Sequence, residues 1–450
     1  MTRWSRRQAL GAALGVAASP LLPRRLVGQP ISPVQPLHGV HASLMATQRA
    51  LTWFAAAATP YTVALRPWPA QGATGQEEMR LLTSTASPTY GVPLYTHRVL
   101  LDGVALGQGL HYRLGANGQW LQEGVLPALP TAGWRFIHFG DHAQRAASRA
   151  VVAGVGQRRP DLLLIAGDLA YANGEQSLWD SYFRMLEPVT AAIPMLSCPG
   201  NHEQKDGNGQ GYLSRITQPG RAAWYAFDHG RVHFFFGTAG CLVAGPASVW
   251  ALVEEILAME HDLSAAAARR AKGEIDFIIV VQHYPIWTDE EGRDPADFTL
   301  VALEEGMLLR YGVDLLLVGH DHIYERSHPM AYGRPHPGGY VQVTQGGGGQ
   351  SLYQVIPNPA AWSALATPRW GFSEYEVTGS QIRVTSYTVD DSANQLLPTG
   401  ELALLDSFAY QARDAASLHH FALPPRPEEE LLAGFAQVVA HTIDRNRFAQ

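Results

Sequence analysis

Pro160-Asp161-Leu162-Leu163-Leu164-Ile165-Ala166-Gly167-Asp168-Leu169-Ala170-Tyr171 is the stretch on which the fold turns. Its apolar run reads as a short strand buried on both faces, as in a parallel sheet covered by helices. Asp168 then sits just past the strand's C-terminal end, where open α/β sheets place their ligands. The pattern recurs along the chain. Phe136-Ile137-His138-Phe139 runs into Gly140-Asp141. Residues 193–198 run into Pro199-Gly200-Asn201-His202-Glu203, and 277–282 end at His283. Leu315-Leu316-Leu317-Val318 runs into Gly319-His320-Asp321-His322. Five strand ends thus offer Asp141, Asp168, Tyr171, Asn201, His283, His320 and His322, enough for two metal ions sharing one carboxylate. Mixed oxygen and imidazole donors suit iron, zinc and manganese.

Outward from this block, residues 131–400 alternate strands with helical stretches at 143–156 and 249–272. In the second helix Leu252, Ile256, Met259 and Leu263 form a core-facing stripe. Residues 223–227 and 232–236 read as a hairpin, and 372–388 as another that closes the second of two sheets. The glycines 346–349 lack the Lys-Ser/Thr of a P-loop and read as a turn close to the metal site. Residues 37–130 hold β-prone runs and an Asn117-Gly118 hairpin signal, which suggest a small antiparallel sandwich. His97 and His111 in this region read as structural. Residues 401–450 form a C-terminal extension, with a helix expected over 428–447 and no chemistry assigned to His419-His420.

The N-terminus adds a compartment. Ser5-Arg6-Arg7-Gln8-Ala9-Leu10 precedes a short apolar run rich in Gly and Ala, and then Pro20-Leu21-Leu22-Pro23. Residues 1–36 therefore read as a twin-arginine (Tat) signal and linker, with the Tat translocase as partner and a periplasmic or secreted destination. The alternative is a basic N-terminus that carries no signal. No stable membrane insertion is expected, because the apolar run is too short to span. The formal net charge of −7, with no basic stripe, argues against nucleic acid as a partner. For Cys198 and Cys241 the alternatives are a disulfide, which an oxidising compartment permits, or two buried thiols.

The ordered set Gly-Asp, Gly-Asp-x-x-Tyr, Gly-Asn-His-Glu, strand-borne His and Gly-His-x-His resembles the calcineurin-like metallophosphoesterases, and within them the purple acid phosphatases. The resemblance implies a four-layer αββα sandwich preceded by a fibronectin-III-like domain. It places Asp141, Asp168, Tyr171 and His322 on one ion, and Asp168, Asn201, His283 and His320 on the other. It implies a ferric ion beside a divalent one (zinc, iron or manganese). The substrates would be small phosphorylated molecules, and phosphate monoesters would be cleaved by in-line attack of metal-bound hydroxide. A phosphodiesterase or nucleotide pyrophosphatase on the same site is the alternative, and a non-catalytic binding protein a more distant one. Position 143 is Ala where many relatives have a ligand His, and Tyr171 supplies a phenolate in its place. A phenol, with its pKa near ~10, needs a neighbouring cation to ionise at neutral pH. By the same resemblance His202 faces substrate as the catalytic residue, Glu203 orients it, and Tyr324 and Arg326 support the site and its packing. His142 either lines the substrate mouth or is exposed. Asp289, Glu290 and Glu291 stand where plant-type enzymes carry substrate-contacting histidines, which puts monoester preference in question.

Overall fold

The computed structural model describes residues 37–68, 80–220, 223–242 and 248–413. The export signal expected at 1–36, the helix expected at 428–447 and His419-His420 lie outside these residues. Eight strands come first: β1 (Leu37–Leu44), β2 (Arg49–Ala55), β3 (Thr62–Pro67), β4 (Arg80–Thr83), β5 (Thr85–Pro88), β6 (Tyr95–Leu100), β7 (Leu110–Ala116) and β8 (Gln119–Leu126). They form two antiparallel sheets, β1-β2-β6-β5 and β4-β3-β7-β8. Leu51, Trp53 and Val99 of one meet Val63, Tyr112 and Leu114 of the other in a common core. Asn117 and Gly118 both take positive φ, 53° and 76°, as a tight hairpin between β7 and β8 requires. His97 bonds the Ala57 carbonyl at 2.8 Å and stacks on Trp53, and His111 lies 3.5 Å from Glu123.

The remaining strands are β9 (Trp134–Phe139), β10 (Leu162–Ala166), β11 (Met195–Cys198), β12 (Tyr225–His229), β13 (Val232–Phe236), β14 (Phe277–Val281), β15 (Leu315–Val318), β16 (Tyr324–Ser327), the short pair β17 (Met330–Ala331) and β18 (Arg334–Pro335), β19 (Val341–Gln345), β20 (Ser363–Thr367), β21 (Gly371–Thr378), β22 (Gln381–Thr388) and β23 (Ala403–Gln411). One sheet runs β11-β10-β9-β21-β22-β23, the other β12-β13-β14-β15-β19-β16-β20. Leu162 and Leu164 face Phe234, Ile279 and Leu317 across the seam between the sheets. Leu163 and Ile165 point the other way, onto helices α1 (Ala146–Arg158) and α2 (Ser177–Thr190). Helix α5 (Ser248–Ala271) covers the second sheet, with Met259 and Leu263 against Ile278 and Val280. The layers are therefore αββα, as the family resemblance implies.

Two expectations need correction. The hairpin β21–β22 pairs with β9 and so extends the first sheet, not the second. Strand β23 lies beyond residue 400 and pairs along the whole of β22, so the sheet continues into the segment read as an extension. Both cysteines are buried free thiols. Among the described residues no helix is long and apolar enough to cross a membrane.

The N-terminal sandwich grips the first sheet's helical face. The Gly39 amide donates to Glu187 of α2 at 2.7 Å, and His41 stacks on Phe183 at 4.6 Å. Arg98 donates to the Ser214 carbonyl at 2.7 Å and to Thr217 at 3.0 Å, just after the short helices α3 (Asn201–Gln204) and α4 (Gln210–Leu213).

Candidate metal centre

Strands β9, β10 and β11 are mutually parallel, and β13, β14, β15 and β19 likewise. The C-terminal ends of both sets therefore open onto one rim. Asp141 and Asp168 each follow their strand by one glycine, and Asn201 opens α3 just after β11. His320 follows β15 by one glycine as well, and His283 follows β14 after Gln282. The loops are bonded to one another: Asp141, His142 and Ala143 amides donate to Gly167, Asp168 and Leu169 carbonyls at 3.2, 3.0 and 2.8 Å. The glycine run lies against them, with the Gly348 amide on the Gly140 carbonyl at 3.0 Å.

Two groups of side chains form around Asp168. In one, the Tyr171 hydroxyl donates to Asp141 Oδ1 at 2.9 Å and lies 2.9 Å from His322 Nε2, which is 3.3 Å from Asp141. In the other, His283 Nε2 lies 3.1 Å from Asn201 Oδ1, 3.2 Å from His320 Nδ1 and 3.4 Å from Asp168 Oδ2. Asp141, Asp168 and His283 have ligand atoms all within 4.8 Å of one another. All seven predicted ligands are thus brought together.

The donor set fits metal ions. His283 Nδ1 is held by the Ala166 carbonyl at 2.8 Å and His322 Nδ1 by the Ser351 carbonyl at 2.6 Å. Each ring is therefore held at Nδ1 and turns Nε2 to the centre, so that loss of the Nε2 proton would expose a lone pair to a metal, the usual orientation of a ligating imidazole. The backbone is strained around the same atoms. Asp141, Asp168, Tyr171 and His320 have φ of 58°, 51°, 51° and 70°. Each such residue costs on the order of 1–3 kcal/mol and persists only where its surroundings over-determine it. A Cβ on Gly200 would lie 2.1 Å from Asp168 Oδ1, so only glycine lets the Asn201 loop approach.

The charges are tightly coupled. Burial raises the Asp168 carboxyl, but His283 and then His202 hold it well below the usual range. Burial lowers His283, yet Asp168 and Asp141 outweigh it and bring the ring to about 9. Burial, then Asp141 and Asp168, push the Tyr171 phenol well above 10, so it stays a hydrogen donor unless a cation stands beside it. Burial, His283 and Arg293 push His320 well below its ordinary value.

The residues around the ligands do not all sit where sequence reasoning puts them. His202 is partly exposed, with Nε2 3.8 Å from Asp168 Oδ2 and its ring 4.2 Å from that of Tyr171. Its orienting partner is Asn173, whose Oδ1 lies 2.7 Å from Nδ1, and not Glu203. Asn173 escapes sequence reading because only its left-handed turn, φ 49°, brings it over residue 202. Glu203 is instead a backbone clamp. It accepts from the amides of Asp168 and Leu169, both at 2.9 Å, and of Gly200 at 2.7 Å. Burial and Asp168 raise its carboxyl to about 8. His142 neither lines a mouth nor faces solvent: it is fully buried, its Nε2 3.2 Å from the Ser148 carbonyl. Tyr324 and Arg326 bond Asp406 of β23 at 2.8 and 2.6 Å, tying the two sheets together away from the ligands. Asp289 and Glu290 turn inward. Asp289 accepts from the Ala360 amide at 2.9 Å, and Glu290 from the Gly292 amide at 2.9 Å.

Comparison with known proteins agrees with this architecture. The calcineurin-like phosphoesterase family matches residues 135–324. The human protein named acid phosphatase type 7 (Homo sapiens) is 29% identical over 341 residues, covering 66% of this chain and 74% of its own. Purple acid phosphatase 22 of Arabidopsis thaliana is 26% identical over 312 residues, covering 67% of this chain and 70% of its own. A solved purple acid phosphatase from yellow lupin (Lupinus luteus) seeds superposes with a TM-score of 0.66 at 19% identity, over 86% of this chain and 76% of that one. That likeness shows the fold. The motifs, the fold and these relatives agree: residues 135–324 carry a calcineurin-like phosphoesterase domain, and the chain is purple acid phosphatase-like, a hydrolase of a kind that implies a dinuclear metal centre.

Proposed function

We propose that the chain is an exported phosphomonoesterase that cleaves small phosphate monoesters by in-line displacement at phosphorus, with one ferric and one divalent ion (zinc, iron or manganese). The observation that carries the reading is the convergence of two donor groups on either side of buried Asp168. Asp141, Asp168, Tyr171 and His322 would hold the first ion, and Asp168, Asn201, His283 and His320 the second. A bound pair of ions supplies an acidified water and neutralises phosphoryl oxygens.

The protein's own groups do the rest. His202, fixed at Nδ1 by Asn173, keeps Nε2 beside the ligands, where it stabilises the developing charge or protonates the leaving oxygen. Glu203 holds the Asp168 and Asn201 loops at one separation through three amides. Arg6 and Arg7 are read by the Tat machinery, which delivers the folded enzyme to the periplasm or beyond. The names of the relatives support phosphatase activity, and the Tyr171 position supports ferric ion.

The test combines elemental analysis with a panel of aryl monoesters, aryl diesters and nucleotides. Two metals per chain, one of them iron, and turnover greatest on monoesters are expected. Diester or nucleotide preference would overturn the monoesterase reading. In iron-replete protein, Tyr171→Phe should abolish a broad visible absorption band while iron is retained. A band that survives would exclude Tyr171 as its source. Replacing Arg6 and Arg7 by Lys should leave active enzyme in the cytoplasm, and undiminished export would mean another route.

A further inference from the structure

We propose that Arg293 is a substrate-binding residue at the rim of this centre, taking an unesterified phosphoryl oxygen and thereby favouring monoesters over diesters. The inference deepens the phosphatase reading and rests on it.

Its position comes first. The Arg293 Nε is ion-paired with Asp321, the residue between His320 and His322, and lies 3.2 Å from Glu290 Oε2. The guanidinium carbon is 5.8 Å from the centroid of the Tyr353 ring. That ring in turn stacks on His322 at 4.1 Å, within 11° of parallel. Arg293 therefore stands on the turn that carries one ligand of each group.

Its donors come next. Both carboxylates hold the Nε side, and among the described residues no hydrogen bond engages Nη1 or Nη2. A guanidinium carries five N–H donors in a rigid fork that matches phosphate oxygens. The side chain is 33% exposed, so the free end reaches solvent at the rim. Of the acidic run beside it only Glu291 is exposed; Asp289 and Glu290 are buried and spend their oxygens on amides and on Arg293. These carboxylates build the loop that presents the cation.

The selectivity follows from ester chemistry. A monoester has three unesterified oxygens, so two can face the metal centre and leave one for Arg293. A diester has only two, and carries one negative charge where the monoester carries up to two.

Steady-state kinetics of metal-loaded wild type, Arg293→Gln and Arg293→Lys on a matched aryl monoester and aryl diester test the proposal. Metal content is measured alongside. For Arg293→Gln, KM for the monoester should rise about 10- to 100-fold, the usual worth of a hydrogen bond to a charged group. Its kcat and metal content should change little, the diester constants should stay within about twofold, and Lys should restore part of the loss. Equal losses on both esters, or loss of metal, would show that Arg293 only braces the His320–His322 turn and would overturn the proposal. Calorimetric titration of the metal-loaded proteins with inorganic phosphate keeps the test independent of turnover. Phosphate should bind Arg293→Gln at least about tenfold more weakly than wild type. Equal binding would sink the proposal even if wild type cleaves neither ester, the outcome that would instead refute the phosphatase reading.

Discussion

The two sheets supply different chemistry to one rim. The first, through the ends of β9, β10 and β11, provides Asp141, Asp168, Tyr171 and Asn201, all oxygen donors. The second, through β14, β15 and the turn after β15, provides His283, His320 and His322, all imidazoles. Three of the four strained ligands, Asp141, Asp168 and Tyr171, belong to the oxygen side. Neither sheet has a complete site. Carboxylates crowded on one edge repel one another, and the facing imidazoles, and the metal ions the family implies, relieve that repulsion. The centre thus reports on how the sheets are docked.

The sharpest way to break this division is at its shared atom. Asp168→Asn removes the charge common to both groups, and loss of both metals and of activity is expected by elemental analysis and ester turnover. A mutant that keeps two metals and near-normal turnover would mean the groups do not share Asp168. The next effect is smaller and leaves the metals in place. His202→Ala should lower turnover about 10²–10⁴-fold, and less for esters with good leaving groups, if the ring acts as an acid. Asn173→Ala should cost about 10- to 100-fold, as for other residues that orient a functional side chain. In the His202→Ala background the same change should cost almost nothing, since its effect passes through that ring. Additive losses would separate Asn173 from His202.

The smallest effect lies on the imidazole-bearing sheet but outside the centre. His233 of β13 is gripped by Asp228 at 2.8 Å and Asp262 at 2.7 Å. Burial alone would lower its pKa, but the two carboxylates carry it up to about 9 from the ordinary 6.5. A pKa raised in the folded state means stability that is complete below about 6.5 and is lost as pH rises through about 9. His233→Gln should therefore destabilise by about 1–3 kcal/mol near pH 6 and much less near pH 9.5, as read from denaturant unfolding at the two values. The same destabilisation at both would mean that packing, not charge, is what His233 contributes.

What was legible in the chain follows from range. Strand-Gly-Asp and Gly-His-x-His are local patterns, so the candidate ligands could be read at the ends of runs such as Leu162–Ala166, while the layer order came only through the family resemblance those motifs carry. Periodicity says which face of a strand is buried but not which edge it joins, so the sheet that receives β21 and β22 was not legible. The same holds for Asp289 and Glu290. The Ala360 amide that Asp289 accepts from and the Val355 backbone that bridges Glu290 both lie far along the chain, where no local pattern announces them. His142 misleads because it stands next to a ligand, while its contact with Ser148 depends on how α1 begins.

The first sheet also joins early and late parts of the chain. Strand β9 lies between β10 and β21, so the row bearing Asp141 is completed by residues 371–378, and β22 and β23 extend it. Phe136 and Tyr375 stack at 4.5 Å across that junction. Pairing between such distant segments is slow, because a long loop must close before any contact rewards it. During synthesis the ribosome must therefore release most of the chain before the carboxylate edge can take its final shape. A prematurely terminated product would lack this closing strand, so the order of translation itself delays the centre until nearly the whole polypeptide exists.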